Sequence, residues 1–382
     1  MVYVHVPFCK SFCTYCGFYS EKCRTQEQLS LYAGCIAKEI EDRKDEIRSS
    51  PLRTIYIGGG TPSVLPPDIL GRLARQILVA MGEGPVREFT IEVNPEDIVE
   101  KGDEYVDGLL ALGVTRVSMG VQSFDDRILK WMNRRHDARR AGQAYSMIRK
   151  AAQKAGRQVD VSIDLIFGVP GMDDETWQDT VRKAVSLGAD EGLAKPDHIS
   201  AYQLSIEEGS ALEELLSSGR CSEVPEDECE RQYRTLCLML QESGYRHYEV
   251  SNFALPGHEA VHNSGYWSRT PYVGLGPGAH SLAIKGDGTQ VRSWNSQVIP
   301  DGETAWTSEH EILSEEDIRV EKIMLALRTA DGISSDSLSR LADPAALTTA
   351  LEKGSLIRLP DGRVRIPEDR FFISDDIIRR LI

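Results

Sequence analysis

The residues of this chain best placed to do chemistry are three cysteines within eight positions, Cys9-Lys-Ser-Phe-Cys13-Thr-Tyr-Cys16, spaced C-x3-C-x2-C. They follow an apolar run, residues 2–8, that reads as a strand, and Pro7 argues against a helix continuing across Phe8. Thiols so close together on a loop at a strand's end can bind one metal centre. A structural zinc site or an ordinary iron–sulfur cubane takes four protein ligands. Three local cysteines leave one coordination position open, and an open position is where chemistry can happen. A zinc site completed from elsewhere in the chain is the alternative, although zinc ligands usually come in C-x2-C pairs.

The rest of the composition narrows the setting. A chain of 382 residues calls for a large domain and a smaller one. Its 41% hydrophobic and 27% charged content are those of a soluble globular protein. No run reaches the length of a membrane span and no signal-type segment opens the chain, so a cytoplasmic location is expected. A net charge of −15 argues against nucleic acid, whose phosphates need a basic surface. Cys35, Cys221, Cys229 and Cys237 lack ligand spacing and read as small buried hydrophobes. Cys23 reads the same way, though its nearness to the trio also allows a sacrificial or regulatory thiol.

The elements that must position the cysteines alternate. A helix is expected over 26–48, from Leu29, Tyr32, Ile36 and Ile40 at steps of three and four. Strands follow at 53–57, 88–93, 116–121, 159–167 and 198–206, with helices near 66–80, 98–111, 124–131, 138–155 and 174–187. Strand then helix, six times over, is the signature of a parallel sheet with right-handed crossovers and functional loops at the strands' carboxyl ends. Six units are too few for an eight-stranded barrel, so the expected fold is α/β, a partial (βα)6 TIM-like barrel over 1–206. From 207 to 300 the pattern loosens into a barrel extension: a helix near 226–243, strand-like content over 245–254, and an ordered functional loop over 256–277. Residues 301–382 are expected to form a small winged-helix-like α+β domain, with helices near 315–329, 334–342 and 374–382 and a hairpin over 356–366 turning at Asp361-Gly362. That module is not notably basic, so it reads as a lid or partner surface.

The run Gly58-Gly-Gly-Thr-Pro62 lets backbone approach a ligand closely. Together with the cysteine loop one unit earlier, it resembles the radical S-adenosylmethionine (SAM) superfamily. The resemblance implies a [4Fe–4S] cluster held by Cys9, Cys13 and Cys16, with SAM on the fourth iron and an electron from the cluster splitting the sulfonium to a 5′-deoxyadenosyl radical. His5-Val-Pro-Phe-Cys, Ile57-Gly-Gly-Gly-Thr-Pro-Ser, Glu92-Val-Asn-Pro, Gly120-Val-Gln-Ser-Phe and Asp164-Leu-Ile-Phe-Gly-Val-Pro resemble the branch that contains oxygen-independent coproporphyrinogen III oxidases and HemW-type haem chaperones. By that resemblance Tyr3 and Tyr15 lie beside the cluster and SAM, and Gly59, Gly60 and Thr61 hold the methionyl amino group. Glu92, Gln122, Arg134 and Asp164 bond its carboxylate and ribose, and Ser205 and His280 line the adenosine pocket. Arginine suits a carboxylate and acids suit hydroxyl or ammonium groups.

Two features separate the branches. The oxidases place a further cysteine two positions after the third, where this chain has Phe18, and they carry an amino-terminal extension before the cluster strand. Both point to the chaperone side. His262-Asn-Ser-Gly-Tyr-Trp267 matches that side's H-N-x-x-Y-W motif, in which the histidine is implicated in haem binding. An imidazole is a standard axial ligand, and Tyr266 and Trp267 could pack on a porphyrin; His258 competes for the role. The expectation is a haem chaperone that binds a cluster, SAM and haem and delivers haem to acceptors such as respiratory enzymes. Decarboxylation of coproporphyrinogen III propionates is the rival. A cluster-dependent homodimer is compatible with either.

Overall fold

The structure is a computed structural model that describes residues 1–22, 25–302 and 304–382; Cys23 lies outside the described residues. A nine-stranded sheet organises it, in the order Val273–Leu275, Val2–Val6, Thr54–Gly59, Glu88–Val93, Arg116–Gln122, Asp160–Phe167, His198–Gln203, Asn252–Ala254, Arg246–Glu249. The pairings from Val273–Leu275 through His198–Gln203 are parallel, and the last two strands add antiparallel. The outer strands do not pair with each other, which leaves the barrel open.

Period-two alternation decides the two faces of this sheet. Outward positions carry Ile55, Ile57, Phe89, Ile91, Val117, Met119, Val161, Ile163 and Ile199, all buried under the crossover helices. Each such side chain withdrawn from water contributes about 1.5–3 kcal/mol before entropy. Inward positions are polar: Tyr56 is opposite Thr90, Glu92 opposite Ser118, Ser118 opposite Ser162, and Asp164 opposite Ser200. A parallel sheet covered on one face only by helices thus leaves a polar interior for a ligand.

The helices start where capping chemistry dictates. Asp137 caps Ala138–Ala155 through the Arg140 amide, and Gly156 ends it in the left-handed conformation. Asn94 caps Pro95–Ala111, with proline at the first helical position. The helix expected over 26–48 divides at Arg43 into Gln26–Asp42 and Lys44–Ser49. There the Arg43 guanidinium donates to the Gly274 carbonyl at 2.8 Å and Ser281 at 3.1 Å. Buried Glu39, one turn earlier, accepts from Gly276 and Asn295. These contacts join segments more than 200 residues apart, and no local pattern encodes them.

Residues 256–277, expected as a loop, contain the helix Val261–Trp267 and the edge strand Val273–Leu275. The boundary expected at residue 300 cuts a three-stranded antiparallel sheet, His280–Ile284, Gln290–Asn295 and Ser308–Ile312. The third strand is exposed along its whole length, so it lacks the alternation that marks a strand. Beyond it, the order is Glu315–Leu327 helix, Ile333–Ser334 strand, helices Ser335–Leu341 and Pro344–Glu352, then strands Ile357–Arg358 and Arg363–Arg365. This is winged-helix order, and its second helix of the pair is additional to the expected elements. No described helix is long and apolar enough to cross a membrane.

Candidate functional site

At the carboxyl ends of the strands a cavity of about 500 Å³ is lined by Cys9, Cys13 and Cys16 together with Tyr15, Gly59, Gly60, Thr61, Glu92, Gln122, Arg134, Asp164 and Ser205. Residues separated by up to 196 positions therefore converge, because every parallel strand delivers its following loop to the same end of the sheet. Cys9, Cys13 and Cys16 are free thiols. The Cys9 Sγ lies 3.5 Å from the Thr61 hydroxyl, and an Arg134 Nη donates to Cys13 Sγ at 3.2 Å. Burial pushes the Cys9 thiol up and the Cys16 thiol to about 11, so binding a metal there would release protons.

Glycine is required where the second strand meets the cysteine loop. A Cβ on Gly60 would stand 2.9 Å from the Phe8 carbonyl oxygen, 3.0 Å from that of Val6 and 3.1 Å from the Cys9 sulfur. Gly59 has φ +110°, and a Cβ there would meet the His5 ring at 2.6 Å. Gln122 adopts φ +68° without being glycine, a strain of about 1–3 kcal/mol of the kind concentrated at functional sites.

The polar groups of the cavity are incompletely satisfied. Gln122 Oε1 and Arg134 Nε are buried with no protein partner. Arg134 otherwise donates to the Gly120 carbonyl at 2.7 Å. Burial lowers its proton affinity, but neighbouring Tyr15 and Cys13 outweigh this and hold it firmly cationic. Glu92 accepts from the Tyr56 hydroxyl at 2.6 Å and from the Gly59 amide at 3.0 Å. Even so, burial, reinforced by Asp164, raises its carboxyl to about 7. Asp164, flanked by Ser118 at 3.4 Å, is raised by burial to about 6. Two acids whose charged forms burial disfavours suit a cationic ligand, and a guanidinium with its Nε unpartnered suits an anionic one. A ligand with both, such as an amino acid carrying a sulfonium, meets all three.

Three expected residues stand elsewhere. Tyr3 lies below the cavity, its hydroxyl 3.0 Å from His5 Nδ1 and its ring 6.0 Å from Tyr56. His280 opens the three-stranded sheet, exposed and stacked on Trp294 at 5.9 Å, outside the cavity lining, because the turn after Leu275 carries the chain away from the barrel. His262 is 0% exposed at the opposite end of the barrel. Its Nδ1 is 2.8 Å from the Thr54 hydroxyl and its Nε2 is 3.0 Å from the Tyr266 hydroxyl, so neither nitrogen is open to iron. His258, its competitor, pairs with Asp160 at 2.8 Å. The H-N-x-x-Y-W segment is thus the barrel's floor. Glu88 accepts from the Val261 and His262 amides at 2.9 and 2.8 Å, standing in for a side-chain cap. Arg116 binds Glu88, Asp160, Ser162 and the His258 carbonyl.

Sequence reasoning passed over Tyr56, Ser118, Ser200 and Tyr202, which line the cavity. Their signal was available as polar residues at alternate positions of otherwise apolar strands. Phe12, Phe18 and Tyr202 form an apolar rim to the cavity, with Phe18 70% exposed.

The sequence pattern of the Radical SAM superfamily matches residues 3–184. A zebrafish (Danio rerio) protein named Radical S-adenosyl methionine domain-containing protein 1, mitochondrial, is 32% identical over 97% of this chain and 82% of its own length. Proteins named Heme chaperone HemW from Bacillus subtilis and Mycobacterium tuberculosis are 30% and 31% identical, over 92% and 100% of this chain and 91% and 94% of theirs. Among solved structures, Escherichia coli coproporphyrinogen III oxidase (HemN) superposes with a TM-score of 0.78 over 99% of this chain and 89% of its own, at 21% identity, a likeness of fold. This chain belongs to the radical SAM superfamily and, within it, to the family of the HemW proteins. The superfamily brings two cofactors, a [4Fe–4S] cluster and SAM, and the three thiols, the glycine cradle, the two acids raised by burial and the unpartnered Gln122 and Arg134 atoms fit that pair.

Proposed function

We propose that this protein is a haem chaperone built on a radical SAM barrel, binding haem and passing it to haem-requiring acceptors such as respiratory enzymes in the cytoplasm. Cys9, Cys13 and Cys16 are the cluster ligands in this reading. Gly59, Gly60 and Thr61 receive the methionyl end of SAM, Glu92 and Asp164 take its cationic and hydroxyl groups, Arg134 clamps its carboxylate, and Gln122 and Tyr15 close over it. When bound, the cluster supplies an electron to the sulfonium. The chain's own groups orient SAM, balance its charges and keep water from it.

The observation that carries the cofactor assignment is the meeting of three thiols, two acids raised by burial and a guanidinium with an unpartnered Nε in one cavity. The haem assignment rests on the HemW relatives' names and on Phe18 standing where the oxidases' further cysteine would be. The apolar rim of Phe12, Phe18 and Tyr202 supports it, since exposed aromatic patches of this kind mark ligand or partner surfaces. His262 gives it no support.

The test is anaerobic cluster reconstitution followed by two assays on one preparation. Haem titration, with transfer to an apo-haemoprotein, is expected to succeed, and anaerobic coproporphyrinogen III decarboxylation is expected to stay at background. Decarboxylation without haem binding would replace the chaperone reading with the oxidase one.

A further inference from the structure

The floor of the barrel and its SAM cavity are linked by a short, unbroken line of contacts. His262 stands under Tyr56, with ring centroids 5.2 Å apart and planes 40° apart. Above, the Tyr56 ring runs so close to Gly58 that a Cβ there would meet its Cε1 at 2.6 Å. Its hydroxyl donates to Glu92 Oε1 at 2.6 Å, and Glu92 Oε2 accepts from the Gly59 amide at 3.0 Å. The geometry points to His262 as a positioning residue for SAM: it fixes the Tyr56 ring, and Tyr56 in turn aims the Glu92 carboxylate at the ligand's cationic end. The inference rests on SAM occupying this cavity.

The physical case has three parts. A tyrosine hydroxyl is placed by only two side-chain torsions, so holding the ring places the oxygen. The imidazole is itself held in place, because buried Thr54 and half-buried Tyr266 hold both of its nitrogens and Glu88 holds its own amide. Hydroxyl partners can serve as donor or acceptor, so either neutral tautomer satisfies the pair. Next, Glu92 has few other donors. Deprived of Tyr56 it would keep only the Gly59 amide while buried beside Asp164, and a buried acid with one donor resists ionising for a cation. Finally, the motif is costly to keep for haem alone, since a buried histidine with both nitrogens engaged offers no iron a lone pair.

The experiment is SAM binding to the cluster-reconstituted full chain, measured by equilibrium dialysis, for wild type, His262→Ala, Tyr56→Phe and the double variant. Loss of an outer partner typically weakens a site about ten-fold or more, so each single variant is expected to raise the SAM dissociation constant about ten-fold. The double variant is expected to be no weaker than Tyr56→Phe, because both act through one bond. Should His262→Ala not fold, Thr54→Val, which removes the hydroxyl fixing Nδ1, replaces it with the same expectation. SAM affinity within two-fold of wild type in the histidine or threonine variant, or effects that multiply in the double variant, would overturn the relay. Failure of the wild type itself to bind SAM would instead overturn the cavity assignment on which the relay stands.

Discussion

The two ends of the barrel are made from the same strands yet are opposite in chemical temper. At the mouth, Gln122 and Arg134 keep buried polar atoms without partners, Gln122 sits in a left-handed conformation, and Phe18 is 70% exposed. At the floor, Arg116 lies between Glu88 and Asp160 and against two backbone carbonyls, and both nitrogens of His262 are engaged. Unsatisfied buried groups cost free energy that a fold does not tolerate without recompense. The mouth is poised for ligands that supply the missing partners; at the floor the groups around Arg116 and His262 are paired, while His198 Nδ1 beside them is buried without a partner. With both ring nitrogens engaged, His262 acts in this structure as a support for the barrel.

The sharpest way to break this contrast is to remove a thiol. Cys13→Ala is expected to drop iron and labile sulfide after reconstitution to background, with far-ultraviolet circular dichroism unchanged, because the loop's backbone does not depend on the sulfur. The floor should respond in the opposite sense. Glu88→Ala leaves Arg116 short of a buried partner and the Val261–Trp267 helix uncapped, and is expected to cost about 3–5 kcal/mol in chemical denaturation. Arg134→Ala, at a half-buried arginine of the mouth, should change stability by less than roughly 1 kcal/mol, since its Nε is already unpaired, while SAM binding is lost. Equal destabilisation by the two arginine-site variants would erase the distinction between the ends.

Gly60→Ala tests the cradle at intermediate size. Its methyl group must displace two carbonyls and the Cys9 sulfur, a strain of about 1–3 kcal/mol, and cluster loading should fall with it. Iron content equal to wild type would show that the cradle yields. A pH titration gives a smaller effect with a definite sign. Glu92 and Asp164, raised by burial to about 7 and 6, favour their protonated forms in the folded protein. Their contribution to stability therefore falls as pH rises from the ordinary carboxylate range through about 7, opposite to a paired carboxylate. A cationic ligand needs them ionised, so SAM affinity should weaken as pH falls through 7 and then 6. Affinity flat from pH 8 to 5.5 would remove the two acids from the site. The smallest effect is Phe18→Ser, expected within about 0.5 kcal/mol on stability but detectable as weaker haem retention if the rim holds the macrocycle.

Much of this was written locally. The strand expected at 88–93 and the helix expected at 138–155 have those bounds in the structure, where Asp137 and Gly156 cap the helix. The convergence of Cys9, Gly60, Glu92, Gln122 and Asp164 follows from parallel strands alone, because each must deliver its loop to the same end. What local pattern could not carry is the closure of the barrel. The helix at Val261–Trp267 is capped by Glu88, more than 170 positions earlier. The strand Val273–Leu275 pairs with the chain's first strand, and Ser308–Ile312 is a strand only because Gln290–Asn295 lies beside it.

By itself, then, the sequence determined the alternating strands and helices of the barrel and the end at which its loops gather, since these are properties of neighbouring residues; the groups assigned to its mouth came from the family resemblance. Only the tertiary structure decided which way the histidine motif faces. Its ring nitrogens are held by Thr54 and Tyr266 and its helix by Glu88, and whether an imidazole is a ligand or a buried support depends on who already holds its lone pair and its proton.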